Sequence, residues 1–175
     1  MMSRTTPILA AILLTACAGS YELPDDFAFE ASHAVETAPL GGAALAHRER
    51  QLRRAYEDMV HFHATLESLH YRRDRNGLVL FSGFLDAYMG VHLMPLLTAA
   101  WQSDHPELAA LDASLRFAQA EVLIQMRSPR RVQDVINEIE SRYTGRGTML
   151  VRFPIGGQTT LEQGLEMLGS RKWRG

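Results

Sequence analysis

One cysteine and one lysine in 175 residues are the sparsest features of this chain, and each absence excludes something. With Cys17 alone there is no intrachain disulfide, so the folded part must be held by its apolar core. Without a Cys-x-x-Cys-His element, covalently attached haem is excluded. There is no Gly-x-Ser-x-Gly elbow and no glycine-rich phosphate loop, which removes the common hydrolase and nucleotide-binding readings. A net charge of -2 gives no basic excess for nucleic acid. Acids interleaved with aromatics, as a carbohydrate site wants, are also missing, and an enzyme is not the expectation. Of the 18 basic residues only Lys172 is lysine. That bias runs along the whole chain and points to coding composition rather than to a site.

What is present begins with an export signal. Met1-Met2-Ser3-Arg4 forms a short cationic start, and Pro7 to Leu14 an apolar run of suitable length. The run ends in Leu14-Thr15-Ala16-Cys17, which resembles the lipobox of bacterial lipoprotein precursors. The resemblance covers about the first twenty residues. It implies removal of residues 1–16, acylation of Cys17 and attachment to a bilayer, each buried CH₂ of the acyl chains contributing about 0.8 kcal/mol. Ala18 in place of Asp after the cysteine implies forwarding to the outer membrane, with the domain facing the periplasm. The rest of residues 17–40 reads as an acidic flexible tether. It contains Glu22, Asp25, Asp26, Glu30 and Glu36, no Lys or Arg, and Pro24 and Pro39 as interruptions.

Residues 41–175 read as one domain. Leu45, Leu52, Met59 and Leu66 recur every seven residues, with Ala55, Phe62 and Leu69 beside them, predicting a helix from about 43 to 75 that Asn76-Gly77 stops. Leu78 to Trp101 is long and apolar enough to span a membrane, but Asp86 and His92 fall mid-span and would be costly in lipid. The expectation is the central helix of a bundle, covered on all sides and kinked near Pro95. A third helix starts at Asp104-His105-Pro106-Glu107 with Leu108, Leu111, Leu115, Ala118 and Val122 inward. A fourth follows Ser128-Pro129 with Val132, Val135, Ile136, Ile139 and Tyr143 inward, ending at Gly145 and Gly147. Met149 to Ile155 is strand-like without an obvious partner, so an extended segment lying on the bundle is expected. Thr159 to Leu168 reads as a short last helix that Gly169 stops. The predicted class is all-α: four main helices, a short extended segment and a short C-terminal helix.

His63, Glu67 and His70 stand at i, i+4 and i+7 on one side of the first helix. A hairpin about Asn76-Gly77 would set Glu67 near Asp86, and His61 or Tyr56 near His92. Asp86 and His92 would then complete a set of imidazoles and carboxylates able to take zinc, iron, manganese or copper. Glu67-Ser68-Leu69-His70 has the Glu-x-x-His spacing of ferritin-like proteins, but their pattern needs a second copy that this chain lacks. The alternative role is structural, as hydrogen-bonded polar groups beside the core, with no cofactor. The tail joins Arg171, Lys172 and Arg174 to Trp173, a combination suited to anionic headgroups or an acidic partner. The sequence thus leads to an envelope lipoprotein that works by binding an envelope protein partner, with a metal-binding bundle as the alternative.

Overall fold

The computed structural model describes residues 42–99, 102, 104–154 and 157–171. The signal, Cys17, the tether and the tail residues Lys172, Trp173 and Arg174 lie outside them. The described residues are mostly helical, with one small sheet.

The seven-residue spacing makes helix α1, Gly42–Arg72, whose buried residues include Leu52, Ala55, Met59, Phe62, Leu66 and Leu69. Its stop differs from the expected one. Arg73 takes a left-handed conformation (φ 56°), and the Asp74 amide returns to the Leu69 carbonyl at 3.1 Å. Asp74 then caps the next helix, its carboxylate accepting from the Gly77 amide at 2.8 Å. Asn76 and Gly77 therefore lie inside the first turn of α2, Arg75–Tyr88, instead of ending α1. Gly77 is needed there, because a Cβ would stand 2.8 Å from Leu69 Cδ2.

Beyond α2 the chain stays helical through a π-turn, Met89–Leu93, into α3, Met94–Leu97. Pro95 is the cause. It has no N–H to give, and its ring clashes with the carbonyl four residues earlier, which a locally wider turn relieves. The Met94 amide reaches back five residues to the Met89 carbonyl. The extra residue advances the inward stripe by one, so that Leu93 and Leu97 are buried while His92 and Leu96 are partly exposed.

The centre of the fold is not this rod but α4, Pro106–Gln125, packed against α1, α5, β1 and α6. Every residue from Asp112 to Leu123 is buried. Small side chains at Ala109, Ala113, Ala118 and Ala120 let neighbours close in from all directions, while Leu108, Leu115, Phe117 and Val122 fill the space between. Each large apolar side chain so buried stabilises the fold by about 1.5–3 kcal/mol. Helix α5, Pro129–Arg142, brings Val132, Val135, Ile136 and Ile139 inward, with Tyr143 buried just beyond its end.

The extended segment has a partner after all. Strand β1, Leu150–Phe153, pairs antiparallel with β2, Gly157–Thr160, in the register Leu150–Thr160 to Phe153–Gly157. The second strand is short and polar, and Gly157 enters it at φ 74°. Its polarity hid it behind the helix that follows. Helix α6, Leu161–Arg171, continues through Gly169.

Charge is shut inside this core. Asp112 Oδ1 accepts from Gln102 Nε2 at 2.8 Å, and Oδ2 from Arg116 Nε at 2.9 Å and from the Tyr143 hydroxyl. Arg116 Nη2 donates to the Leu97 carbonyl at 2.5 Å, and Nη1 lies 2.8 Å from Glu138 Oε1. Burial alone would lower the Arg116 pKa, but the charge and hydrogen bond of Asp112, with Glu138 and Tyr143 behind them, turn the net shift upward. The network ties the end of α3 and the start of α5's outgoing turn to the middle of α4.

Candidate interaction surface

The histidine stripe divides between separate tasks. His70 Nε2 donates to the Gln125 carbonyl at 2.9 Å, which fixes the proton on that nitrogen. His63 is buried, with its Nε2 3.4 Å from the Gln125 side-chain amide nitrogen, so it accepts as a neutral ring. Burial lowers its pKa most; the charge of Glu67 opposes this and that of Arg171 adds to it. Arg171 Nη1 also lies 2.7 Å from Glu121 Oε1, pinning the end of α6 to α4. Burial raises the Glu121 pKa, against the pull of Arg171. The tail cation nearest the domain is therefore engaged with the chain's own carboxylate.

Asp86 and His92 go elsewhere. Asp86 is exposed and pairs with Arg131 of α5 at 2.5 Å. His92 lies 5.5 Å from the Tyr88 ring, its pKa lowered by burial against the opposing charge of Asp58. The Tyr88 hydroxyl donates to Asp58 at 2.7 Å, and its pKa is pushed up by burial and by that bond. Phe62, Phe81 and Phe84 pack edge-on or stacked beside it, closing the α1–α2 contact. Because the turn falls at Arg73–Asp74, Asp58 is the residue opposite Tyr88, and Glu67 no longer faces Asp86. Among the described residues no group of three or more His, Cys, Asp or Glu side chains is placed to hold a metal ion.

A cleft of about 370 Å³ opens between α1, α4 and the hairpin, lined by Glu49, Arg53, Tyr56, Ser114, Arg152 and Gln158 among others. Its polar groups largely serve one another. Arg53 pairs with Glu49 at 2.7 Å, and Ser114 Oγ accepts from the Arg152 amide at 2.9 Å while donating to the Ala110 carbonyl at 2.6 Å.

The surface that stands out is the outer face of the Arg75–Leu97 rod. Only 33% of its most apolar window is buried. Phe81, Leu85, Tyr88, Met89, Leu93 and Leu97 turn inward, leaving Val79 73%, Leu80 51%, Val91 59% and Met94 43% exposed. Between them Gly83, Ala87 and Gly90 are also exposed. A Cβ built at Gly83 or Gly90 meets nothing within 4 Å. Exposed apolar side chains scattered singly are ordinary, whereas a contiguous row along one helix marks an interaction surface. The apolarity of Leu78–Trp101 was legible in the sequence. That its outer half stays uncovered was not, because periodicity does not say which helix takes the centre.

No family model, curated protein or solved structure matches this chain.

Proposed function

We propose that this chain is a lipid-anchored cell-envelope protein that works by binding, through the outer face of the Arg75–Leu97 rod. The observation that carries the binding reading is the uncovered set Val79, Leu80, Val91 and Met94, which lies beside small residues on a helix packed along its inner face only. Anchoring is supported by the Leu14-Thr15-Ala16-Cys17 sequence and by the acidic stretch that follows it. On this reading the outer membrane holds Cys17 through acyl chains, residues 17–40 supply reach, and the helical domain meets a protein partner in the periplasm. A helical partner fits better than lipid. Gly83 and Gly90 offer no side chain and Ala87 only a methyl to insert among acyl chains, but they let another backbone come close.

The test has two arms, both in the full chain. Incorporation of labelled fatty acid should be lost in Cys17→Ser; equal labelling of both proteins removes the anchor. A photo-crosslinking side chain placed at Val79 or Val91 should trap a protein in the native envelope. No adduct from either position removes the binding face.

A further inference from the structure

Two turns meet at one end of the helical domain. His70 bonds to Gln125, each two residues before an arginine, Arg72 and Arg127, and Asp86 of α2 pairs with Arg131 of α5. The α1–α2 and α4–α5 connections are thereby neighbours. Segments 71–76 and 126–131 carry six arginines and a single acid, Asp74, whose carboxylate caps α2. The rest of residues 42–171 carries nine arginines and fourteen acids, so the domain has a cationic pole and an acidic remainder. Coding composition accounts for arginine in place of lysine. It does not gather the charges at one end.

Arg72, Arg73, Arg75, Arg127 and Arg130 are exposed, and among the described residues none of the five has a side-chain ion pair or hydrogen bond. Arg72 serves the fold, since a cation in the last turn of α1 offsets the helix dipole. Arg75 and Arg130 do the reverse. They stand in the first turns of α2 and α5, where a cation opposes the dipole and where neither helix places an acid. Ser128 precedes α5 without a side-chain bond back to it, leaving first-turn amides open to an anion beside Arg127 and Arg130. We infer that this pole seats on an anionic bilayer surface, its arginines on lipid phosphates and Tyr71 among the headgroups. Guanidinium forks match phosphate oxygens two at a time. Tyr71 favours a bilayer over other phosphate-bearing partners: it is 91% exposed beside Arg72, and an aromatic ring with a polar tip suits the headgroup layer. The acidic remainder turns the pole toward a charged plane and keeps the other sides off it. This contact goes beyond the proposed function and needs neither the rod's outer face nor the acyl anchor.

A local probe tests it without that anchor. The full chain carrying Cys17→Ser and either Asn76→Cys at the pole or Thr144→Cys beyond the far end of α5 takes an environment-sensitive fluorophore on the new thiol. Each is mixed with vesicles of phosphatidylcholine, alone or two-to-one with phosphatidylglycerol. The emission should shift to the blue at Asn76 and not at Thr144, and only with phosphatidylglycerol present. About 1 M sodium chloride, which shortens screening to about 3 Å, should erase the shift. Each cation near an anionic surface adds roughly fivefold to partitioning, so Arg75→Gln, Arg127→Gln and Arg130→Gln together should cut the shift at limiting lipid at least about tenfold. Lysine at the same three positions should keep most of it. The glutamine variant should melt no lower than the parent, because it relieves cations at two helix starts; if it does melt lower, lipid composition and salt decide alone. Equal shifts at Asn76 and Thr144, an equal shift on phosphatidylcholine alone, or an undiminished shift in the folded glutamine variant overturns the contact. Emission that responds to soluble polyphosphate but to neither vesicle assigns the pole to a soluble polyanion and overturns the bilayer.

Discussion

Asp112 and Arg116 stand one turn apart on α4 with neither side chain exposed, joined from Nε to Oδ2 at 2.9 Å. Replacing one partner leaves the other charge inside the core without its complement, which costs about 3–5 kcal/mol where such pairs have been broken. Arg116→Met and Asp112→Leu should each lower unfolding stability by that order in urea titrations. The double substitution should lose less than the two single losses combined, because no buried charge is stranded. Single losses below about 1 kcal/mol would show that solvent reaches the pair.

Tyr143→Phe removes one donor from the same carboxylate and nothing else. The expected loss is about 0.5–1.5 kcal/mol, rising toward 3 because the acceptor is charged. Measured beside Arg116→Met and in combination with it, a coupling term above about 0.5 kcal/mol indicates one network rather than two independent contacts.

The sequence made this network hard to see for a physical reason. Leu108, Leu115, Ala118 and Val122 form a sound inward face by themselves, and helical periodicity says nothing of Asp112, Ser114, Arg116, Gln119 and Glu121, which lie off it and are buried all the same. The available signal was the ring of alanines on the other faces of α4, which leaves room for neighbours all round, together with an acid and a base at i, i+4. The third and fourth helices, the inward residues of α5 and the disturbance near Pro95 were legible because proline and periodicity act locally. The α1–α2 turn was misplaced by about three residues because Asn-Gly looked like the stronger stop than Arg73-Asp74. That shift alone separates Glu67 from Asp86. The β2 strand was missed because Gly-Gln-Thr-Thr has no alternating apolar row; its place comes from backbone pairing with β1.

Two glycines of α6 should respond in opposite directions. A Cβ at Gly164 would stand 2.8 Å from Phe153 Cε2 and 2.9 Å from Phe117 Cζ. Those rings are 4.7 Å apart by centroid and buried, so neither can swing away freely. Gly164→Ala should therefore cost about 1–3 kcal/mol as an overpacked core does. At Gly169 nothing lies within 4 Å, and the residue is helical. Gly169→Ala should stabilise by up to about 1 kcal/mol through helix propensity. Thermal melts of the two variants check both signs.

Asp74→Ala removes the carboxylate that accepts from the Gly77 amide at 2.8 Å. Loss of such a cap costs about 0.5–2 kcal/mol, and here it loosens the hinge that sets the register of α1 on α2. Asn, which keeps the acceptor, should restore most of the loss. The surface pair Asp86–Arg131 is the contrast: with both side chains about half exposed, Arg131→Ala should change stability by no more than about 1 kcal/mol.

His63 and Glu121 should give stability slopes of opposite sign. Burial holds the His63 pKa below its ordinary value. As pH falls through about 6.5, the unfolded imidazole takes a proton that the folded one refuses, so stability declines with acidification in that window. Glu121 is shifted upward. Between its raised folded pKa and the ordinary carboxyl range, the folded state binds the proton first, so acidification there is stabilising. His63→Gln should flatten the decline below about pH 6.5, leaving only the slope of the same sign that His92, also held low by burial, contributes. Glu121→Gln should abolish the opposing gain at lower pH and leave the His63 decline unchanged. Melting temperatures of parent and variants across this range read both effects. A decline of undiminished size in His63→Gln would place its source outside the α1–α4 seam.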